Sequence, residues 1–368
     1  MLNELNSRTG RVSSALAALR AGRPIVLVDD AQGYGIGGIG HLVFAAERAT
    51  ASLVAFTVRH TTGYLRVALP LDECERLGLP PMRTGEPAGG CSAQRVTVDL
   101  IGTGTGISAS ARARTIAALA AQRSGREDFR RPGHVIPLLA LDGGVMSRVA
   151  PTEAALDLAR LAGLRPAAAM CEVVSVADPG QLAEAAGAAE FARMHQLELV
   201  TVSDIVEYRR AIEPQVVAMA AANLPTAHGD FRAVGYRGTY DEDEHIALVA
   251  GDVDDGIPVP VHLHSECLAG DVLGSLACSC AAALAAAVDE IGAHGRGVIV
   301  YSRSRRARAC GILGRLGSAA AAPSGAPAVL RELGVRSVRL VGCTEEQRLH
   351  LERAGVRVSV AAPLVAAS

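Results

Sequence analysis

Residues 24–47, "PIVLVDDAQGYGIGGIGHLVFAAE", open with a short apolar run ending in Asp29 and Asp30. Gly35, Gly37 and Gly40 then match G-x-G-x-x-G, the spacing that brings backbone close to a dinucleotide's pyrophosphate. Two features count against a dinucleotide fold. Four residues intervene between Asp30 and Gly35, and the match is drawn from five glycines among residues 33–40. Such a fold also places an acid near the end of its second strand. "LVAFTVRH", read here as that strand, ends in Arg59 and His60. The stretch is read instead as an active-site loop rewritten with glycine.

The chain of 368 residues is long enough for two domains, and 49% hydrophobic residues provide ample core. A formal charge of −2 argues against a nucleic-acid or anionic-membrane surface. No apolar run reaches the roughly 20 residues that span a bilayer. The first residues read as an amphipathic helix without a signal-peptide core, so a cytoplasmic protein is expected. All 36 basic residues are arginine. With no lysine there is no Schiff-base enzyme, no lysine-anchored pyridoxal phosphate and no complete Walker A loop.

Segments outward from the opening stretch alternate. "PIVLVDD" and "AAAMCEVVS" read as strands, and "SASARARTIAALAAQRS", "TEAALDLARLAG" and "PGQLAEAAGAAEFARMHQ" as helices. This gives an α+β (α/β-like) domain over residues 1–210. Residues 211–228 carry two prolines without clear periodicity and read as a linker. A second domain over residues 229–368 begins with the strands "FRAVGYRGT", "EHIALVAGD" and "IPVPVHLHS". An Ala-rich helix and the strands "GVIVYSRS" and "VRSVRLVG" follow, and residues 317–329 read as a low-complexity loop.

Of eight cysteines, Cys267, Cys278 and Cys280 form C-x10-C-x-C in "HSECLAGDVLGSLACSC". Three thiolates beside a glycine-containing turn suit one zinc ion, with a fourth position for water. This run, with "EHIALVAGD" before it and "GRGVIVY" after it, resembles the zinc region of GTP cyclohydrolase II. Upstream, "LGLPPM", "TGIS", "RARTI", "EDFRRPGHV", "TEAALDLARLAGLRPAAAMCEV" and "LVTVSDIVEYRR" resemble 3,4-dihydroxy-2-butanone 4-phosphate synthase. Together the blocks cover most of residues 12–345, in the order of the fused riboflavin-biosynthesis enzyme.

The resemblance implies a reaction on ribulose 5-phosphate that releases formate. Magnesium or manganese would stabilise an enediolate, and acid/base groups would move protons. By matching position, His134 and Glu172 are the catalytic candidates, with His134 also a candidate magnesium ligand. Arg131, Thr105, Gly106, Ser108, Arg148 and Thr152 are the candidate contacts to the sugar phosphate. The resemblance also implies a homodimer, with no nucleic-acid or membrane partner.

Several positions depart from the family pattern. The acidic loop that supplies metal-binding carboxylates is "AQGYGIGGIGH" here, without a carboxylate, and only Asp29, Asp30 or His41 could replace part of it. Magnesium needs oxygen ligands, so magnesium binding is not expected to persist unchanged. Ala111 and Pro151 stand where the family has an aspartate and a histidine. In the second half, His262 stands at the family's opening arginine, and "SRSRRARACGIL" keeps only Arg303 and a glycine in register. Residues 317–329 lack the family's tyrosine and Asp-x-Arg pair, and "GCTEEQR" replaces its late motif. The expectation is a synthase-type enzyme, with zinc either catalytic or structural and cyclohydrolase activity lost. A repurposed enzyme and a non-catalytic scaffold are the alternatives. The cluster Arg303, Arg305, Arg306 and Arg308 reads as a phosphate site or a solvated basic loop.

Overall fold

The computed structural model describes residues 2–30, 38–82, 93–303 and 325–359. The chain divides into a first unit, Met1–Ile212, and a second beginning at Glu213. The strands of the first unit are β1 (Ile25–Val28), β2 (Gly40–Ala45), β3 (Arg66–Leu69), β4 (Val98–Leu100), β5 (Phe129–Leu139), β6 (Ala168–Glu172) and β7 (Leu199–Thr201). They form one mixed sheet in the order β4-β5-β3-β6-β2-β1-β7. Its helices are α1 (Leu2–Arg20), α2 (Ala51–His60), α3 (Leu71–Arg76), α4 (Ala109–Ala120), α5 (Pro151–Leu161), α6 (Ala185–Met194) and α7 (Val202–Ile212).

Helices cover both faces of this sheet, which is why β1 and β2 are buried at every position rather than at alternate ones. On one face, Leu16 and Leu19 of α1, Leu158 of α5 and Ile205 of α7 pack on Val43, Ile136 and Met170. On the other, Val54 of α2, Cys74 of α3 and Ile116 of α4 pack on Val67, Val135 and Ala169.

One strand reading is corrected here: "LVAFTVRH" is helical, within α2. The Thr50 hydroxyl accepts the Leu53 amide and caps the first turn. Val54 and Thr57, three apart, face the core. A short apolar run rich in β-branched residues does not separate a buried strand from a helix by periodicity alone.

The second unit holds a seven-stranded sheet in the order β14-β13-β11-β12-β10-β9-β8. Its strands are β8 (Val216–Thr226), β9 (Gly229–Gly238), β10 (Glu244–Ala250), β11 (Val259–Ser265), β12 (Gly297–Arg303), β13 (Ser337–Leu340) and β14 (Arg357–Ser359). Its helices are α8 (Cys280–His294), α9 (Ala326–Glu332) and α10 (Glu345–Arg353). β8, β9, β10 and β12 run antiparallel, whereas β12, β11, β13 and β14 are parallel.

The linker expected over residues 211–228 is also corrected, because most of it is β8, paired with β9 from Val216↔Gly238 to Thr226↔Gly229. Every residue from 217 to 225 is exposed, so the strand has no buried face to imprint an alternating pattern. Part of the expected loop 317–329 is ordered too: Ala326–Glu332 is α9, with its Pro327 in the first turn and Val329 and Leu330 in the core. Residues 317–324 lie outside the described residues.

Candidate functional site

In the first unit, strand register sets the site. Arg66 of β3 is opposite Ile136 of β5 and Met170 of β6, and His41 of β2 is opposite Glu172 of β6. Residues two apart on a strand share a face. His134 (two before Ile136), Arg66, Glu172 (two after Met170) and His41 therefore share the face on which α1, α5 and α7 pack. Adjacent strands are about 4.8 Å apart, so His134 and Glu172, two strands apart, lie about 10 Å from each other along the row. A five-carbon sugar phosphate spans such a gap.

His134 is exposed, and its Nδ1 lies 2.7 Å from Oδ2 of Asp99, which is 1% exposed. The Asp99 Oδ1 accepts the His134 backbone amide at 2.9 Å. A buried carboxylate on Nδ1 fixes the ring and turns Nε2 outward, the arrangement of a proton carrier. The "TGIS" turn leans on this pair: a Cβ on Gly106, where φ is +82°, would meet Asp99 Oδ2 at 2.0 Å. Thr105 is exposed beside it. The Ser108 hydroxyl caps α4 by accepting the Ala111 amide at 3.1 Å. Arg131 donates to the backbone carbonyls of Leu77, Arg126 and Phe129, so those N–H groups serve the fold and not a phosphate.

Glu172 is ion-paired to Arg66 and lies 3.5 Å from the Thr62 hydroxyl. His41 is buried, its Nδ1 has no partner among the described residues, and burial followed by the Arg66 charge holds its pKa down to about 3. It is a neutral imidazole beside a guanidinium. Arg148 is bound to the buried Glu153 at 2.5 Å, and Glu153 also accepts the Leu141 amide. Pro151 and Thr152 open α5 and are half-buried. The register does not bring Arg148 and Thr152 into the row with His134 and Glu172. Most of the glycine-rich loop, residues 31–37, lies outside the described residues.

Residue identity alone missed Asp99 and Arg66. Asp99 follows a β-type "VTVDL" pattern in which it is the one acid, and Arg66 is a lone charge inside the apolar strand "LRVAL". Either could have been found by asking what a charge does in a buried strand.

In the second unit, the sulfurs of Cys267, Cys278 and Cys280 all lie within 4.8 Å of one another, and Cys267 and Cys278 are 3.7 Å apart. Zinc–sulfur bonds of about 2.3 Å in a tetrahedron place sulfurs about 3.8 Å apart, so this donor set fits zinc. Cys267 follows β11, Cys280 opens α8, and a π-helical turn, Leu268–Val272, folds the chain between them. The start of α8 favours a thiolate at Cys280. Asp271 steadies the turn: its Oδ2 accepts from the Cys267 amide at 2.9 Å and the Tyr301 hydroxyl at 3.0 Å, with His264 Nε2 at 2.9 Å. Burial first, and then the bond to Asp271, raise the Tyr301 pKa, so its proton stays on.

His262 is 2% exposed and its Nδ1 lies 2.8 Å from the Val341 carbonyl. It is packed within the buried stretch of β11. Glu266 and Glu244 flank the exposed Arg303 at 3.4 and 3.6 Å, so that cation sits between two carboxylates at the surface. Arg305, Arg306 and Arg308 lie outside the described residues. A separate cleft of about 770 Å³ has Asp230, Asp252, Asp254 and Glu332 on its lining against one Arg232. That acid excess would repel a polyphosphate.

Comparison with known proteins follows the same division. A model described as 3,4-dihydroxy-2-butanone 4-phosphate synthase matches residues 13–208, and one described as GTP cyclohydrolase II matches residues 217–327. The riboflavin biosynthesis protein RibBA of Salinispora arenicola is 46% identical over 95% of this chain and 87% of its own length. That of Rhodococcus erythropolis is 43% identical over 97% and 90%. Among solved structures, RibBX of A. baumannii, described as a two-domain 3,4-dihydroxy-2-butanone 4-phosphate synthase, gives a TM-score of 0.71 at 29% identity, covering 95% of this chain and 99% of its own. A 3,4-dihydroxy-2-butanone 4-phosphate synthase in complex with two magnesium ions gives 0.50 at 33% identity, covering 55% and 97%. These likenesses give no support to the expected loss of cyclohydrolase activity, since the relatives match across both units. The chain belongs to the 3,4-dihydroxy-2-butanone 4-phosphate synthase family, in the two-part arrangement that joins this synthase to a GTP cyclohydrolase II part in riboflavin biosynthesis.

Proposed function

We propose that the first unit converts ribulose 5-phosphate into 3,4-dihydroxy-2-butanone 4-phosphate and formate. The observation that carries this reading is the carboxylate-backed His134, on the same sheet face as Glu172 in the segment that matches the synthase model. His134 Nε2 is the outward proton carrier, and Glu172, held by Arg66, is the carboxylate at the other end of the row. Thr105 and the backbone of the "TGIS" turn are the remaining candidate contacts to the sugar phosphate. The two products together hold the atoms of the pentulose phosphate, so no oxidant is needed: the hydroxyl lost as water at C1 is balanced by one water added at the carbon that leaves as formate, with proton transfers and carbon–carbon bond changes between.

For the second unit our reading is a zinc-holding fold in which Cys267, Cys278 and Cys280 bind the metal. When bound, the zinc would supply an acidified water or a structural staple. GTP opening is not part of this reading, because His262 is buried in the core and Arg303 is ion-paired. A homodimer is the assembly we expect, and light scattering of purified protein tests it.

Formate release from zinc-loaded protein tests both units, run separately with ribulose 5-phosphate and with GTP. Formate from the pentulose phosphate alone is the expected result. Formate from GTP overturns the account of the second unit, and none from the pentulose phosphate overturns that of the first.

A further inference from the structure

The pentulose-phosphate reading, on which this inference rests, needs positive charge at a particular place. A base takes the proton from the carbon beside the ketone, the electron pair moves to the ketone oxygen, and an enediolate results. A divalent cation can carry that negative charge, but it needs oxygen donors gathered around it.

The donors here do not gather. Residues 31–40 contain no carboxylate. The Glu172 carboxylate is held by Arg66, and Nδ1 of His134 is held by Asp99. Among the described residues, the only group of three or more metal-ligating side chains is the cysteine trio of the second unit. A dication placed by Glu172 would also face the fixed Arg66 charge, which already reaches His41.

We propose that the Arg66 guanidinium stands where a divalent cation would otherwise stand, so that the first unit works on its sugar phosphate without a bound metal. Three observations place it there. Arg66 shares the sheet face with His134 and Glu172, the two ends of the candidate site; opposite Ile136 and Met170 it stands two residues along from their row, and it reaches into that row through its ion pair with Glu172. Its side chain is 16% exposed, so its charge acts through a poorly screened environment. Its buried Nε makes no hydrogen bond among the described residues, so the fork is not fully spent on Glu172. His41 completes the change: it brings no carboxylate oxygen to this point of the row, and as a neutral ring it adds no repulsion to the guanidinium.

The test uses the full-length, zinc-loaded protein and titrates it with manganese(II), read by the paramagnetic resonance signal of the free ion. Alongside, formate release is measured after exhaustive removal of magnesium and again after its return. The expected result is that manganese stays free and that magnesium does not change the rate. Manganese held stoichiometrically by the wild-type protein, or a rate that needs added magnesium, overturns the proposal.

Arg66→Ala is expected to slow formate release about 100-fold, with partial rescue by added guanidinium ion. Arg66→Lys, which keeps the charge but not the fork, should retain more activity than Arg66→Ala, and circular dichroism and zinc content verify folding of both. An unchanged rate in well-folded Arg66→Ala overturns the role of the guanidinium. If the wild type releases no formate under any metal condition, the substrate reading fails, while the manganese titration still decides whether the site is metal-free.

Discussion

Nδ1 of His134 and Oδ2 of Asp99 face each other at 2.7 Å, with the carboxylate buried and the imidazole open on its other side. If this pair sets which nitrogen carries the proton, Asp99→Asn removes the orientation without removing the side-chain volume. We expect kcat for formate release to fall about 100-fold, the scale of a lost acid–base group, with KM little changed. Steady-state kinetics separate the two. A KM effect with kcat intact would mean that Asp99 only shapes the binding surface.

His41 makes stability depend on pH. Its folded-state pKa of about 3 is below the unfolded value of 6.5. Between these values the unfolded chain binds a proton that the folded chain refuses, so stability present at neutral pH is lost as the pH falls through the window. His41 should account for about 2 kcal/mol of the loss between pH 7 and pH 5. Urea unfolding at both pH values, followed in wild type and His41→Gln, measures it: the variant should lose less on acidification. Burial also pushes His245 and His262 down, so part of the slope should remain in the variant.

The parts of this architecture that were legible in the sequence are those in which chemistry and spacing coincide. Cys267, Cys278 and Cys280 could be read as one cluster because metal binding demands several thiolates close in sequence or fold, and their sulfurs do meet. The strands β9 to β12 were legible from alternating or continuous apolar runs. Long-range pairing left no such trace. Asp99 reaches His134 across 35 residues and Glu172 reaches Arg66 across 106, and neither pair has a spacing that a local pattern could show. β8 was illegible for the opposite reason, since an exposed strand carries no burial rhythm. α2 was misread because helix and strand compete evenly for a short apolar run, and only the Thr50 cap settles it.

Zinc binding gives a direct test of the second unit. Cys267→Ser should abolish stoichiometric zinc, since serine is a poor ligand in a thiolate set. Asp271→Asn is the subtler variant: it weakens the hold on the Cys267 amide without touching a sulfur. Loss of such an outer partner typically lowers metal affinity about 10- to 100-fold. Competition with a chromophoric chelator measures both. Full zinc affinity in Cys267→Ser would show that the trio is a set of buried thiols and not a metal site.

The buried pair Arg209–Asp157 ties α7 to α5 at 2.8 Å, and the same guanidinium donates to the Gly143 carbonyl at 2.6 Å. Asp157 also accepts the Val145 amide, so one carboxylate holds the turn that leads toward α5. Burial outweighs these bonds and raises the Asp157 pKa, which marks the carboxylate as costly to keep charged. Arg209→Met should therefore destabilise the first unit by about 3 kcal/mol, because it leaves that carboxylate without its cation. The double variant Arg209→Met with Asp157→Leu should recover part of the loss, since an apolar pair of similar volume removes the unpaired charge. Urea midpoints of the single and double variants decide it. Equal stability of Arg209→Met and wild type would mean that the backbone bonds to Asp157 suffice without the guanidinium.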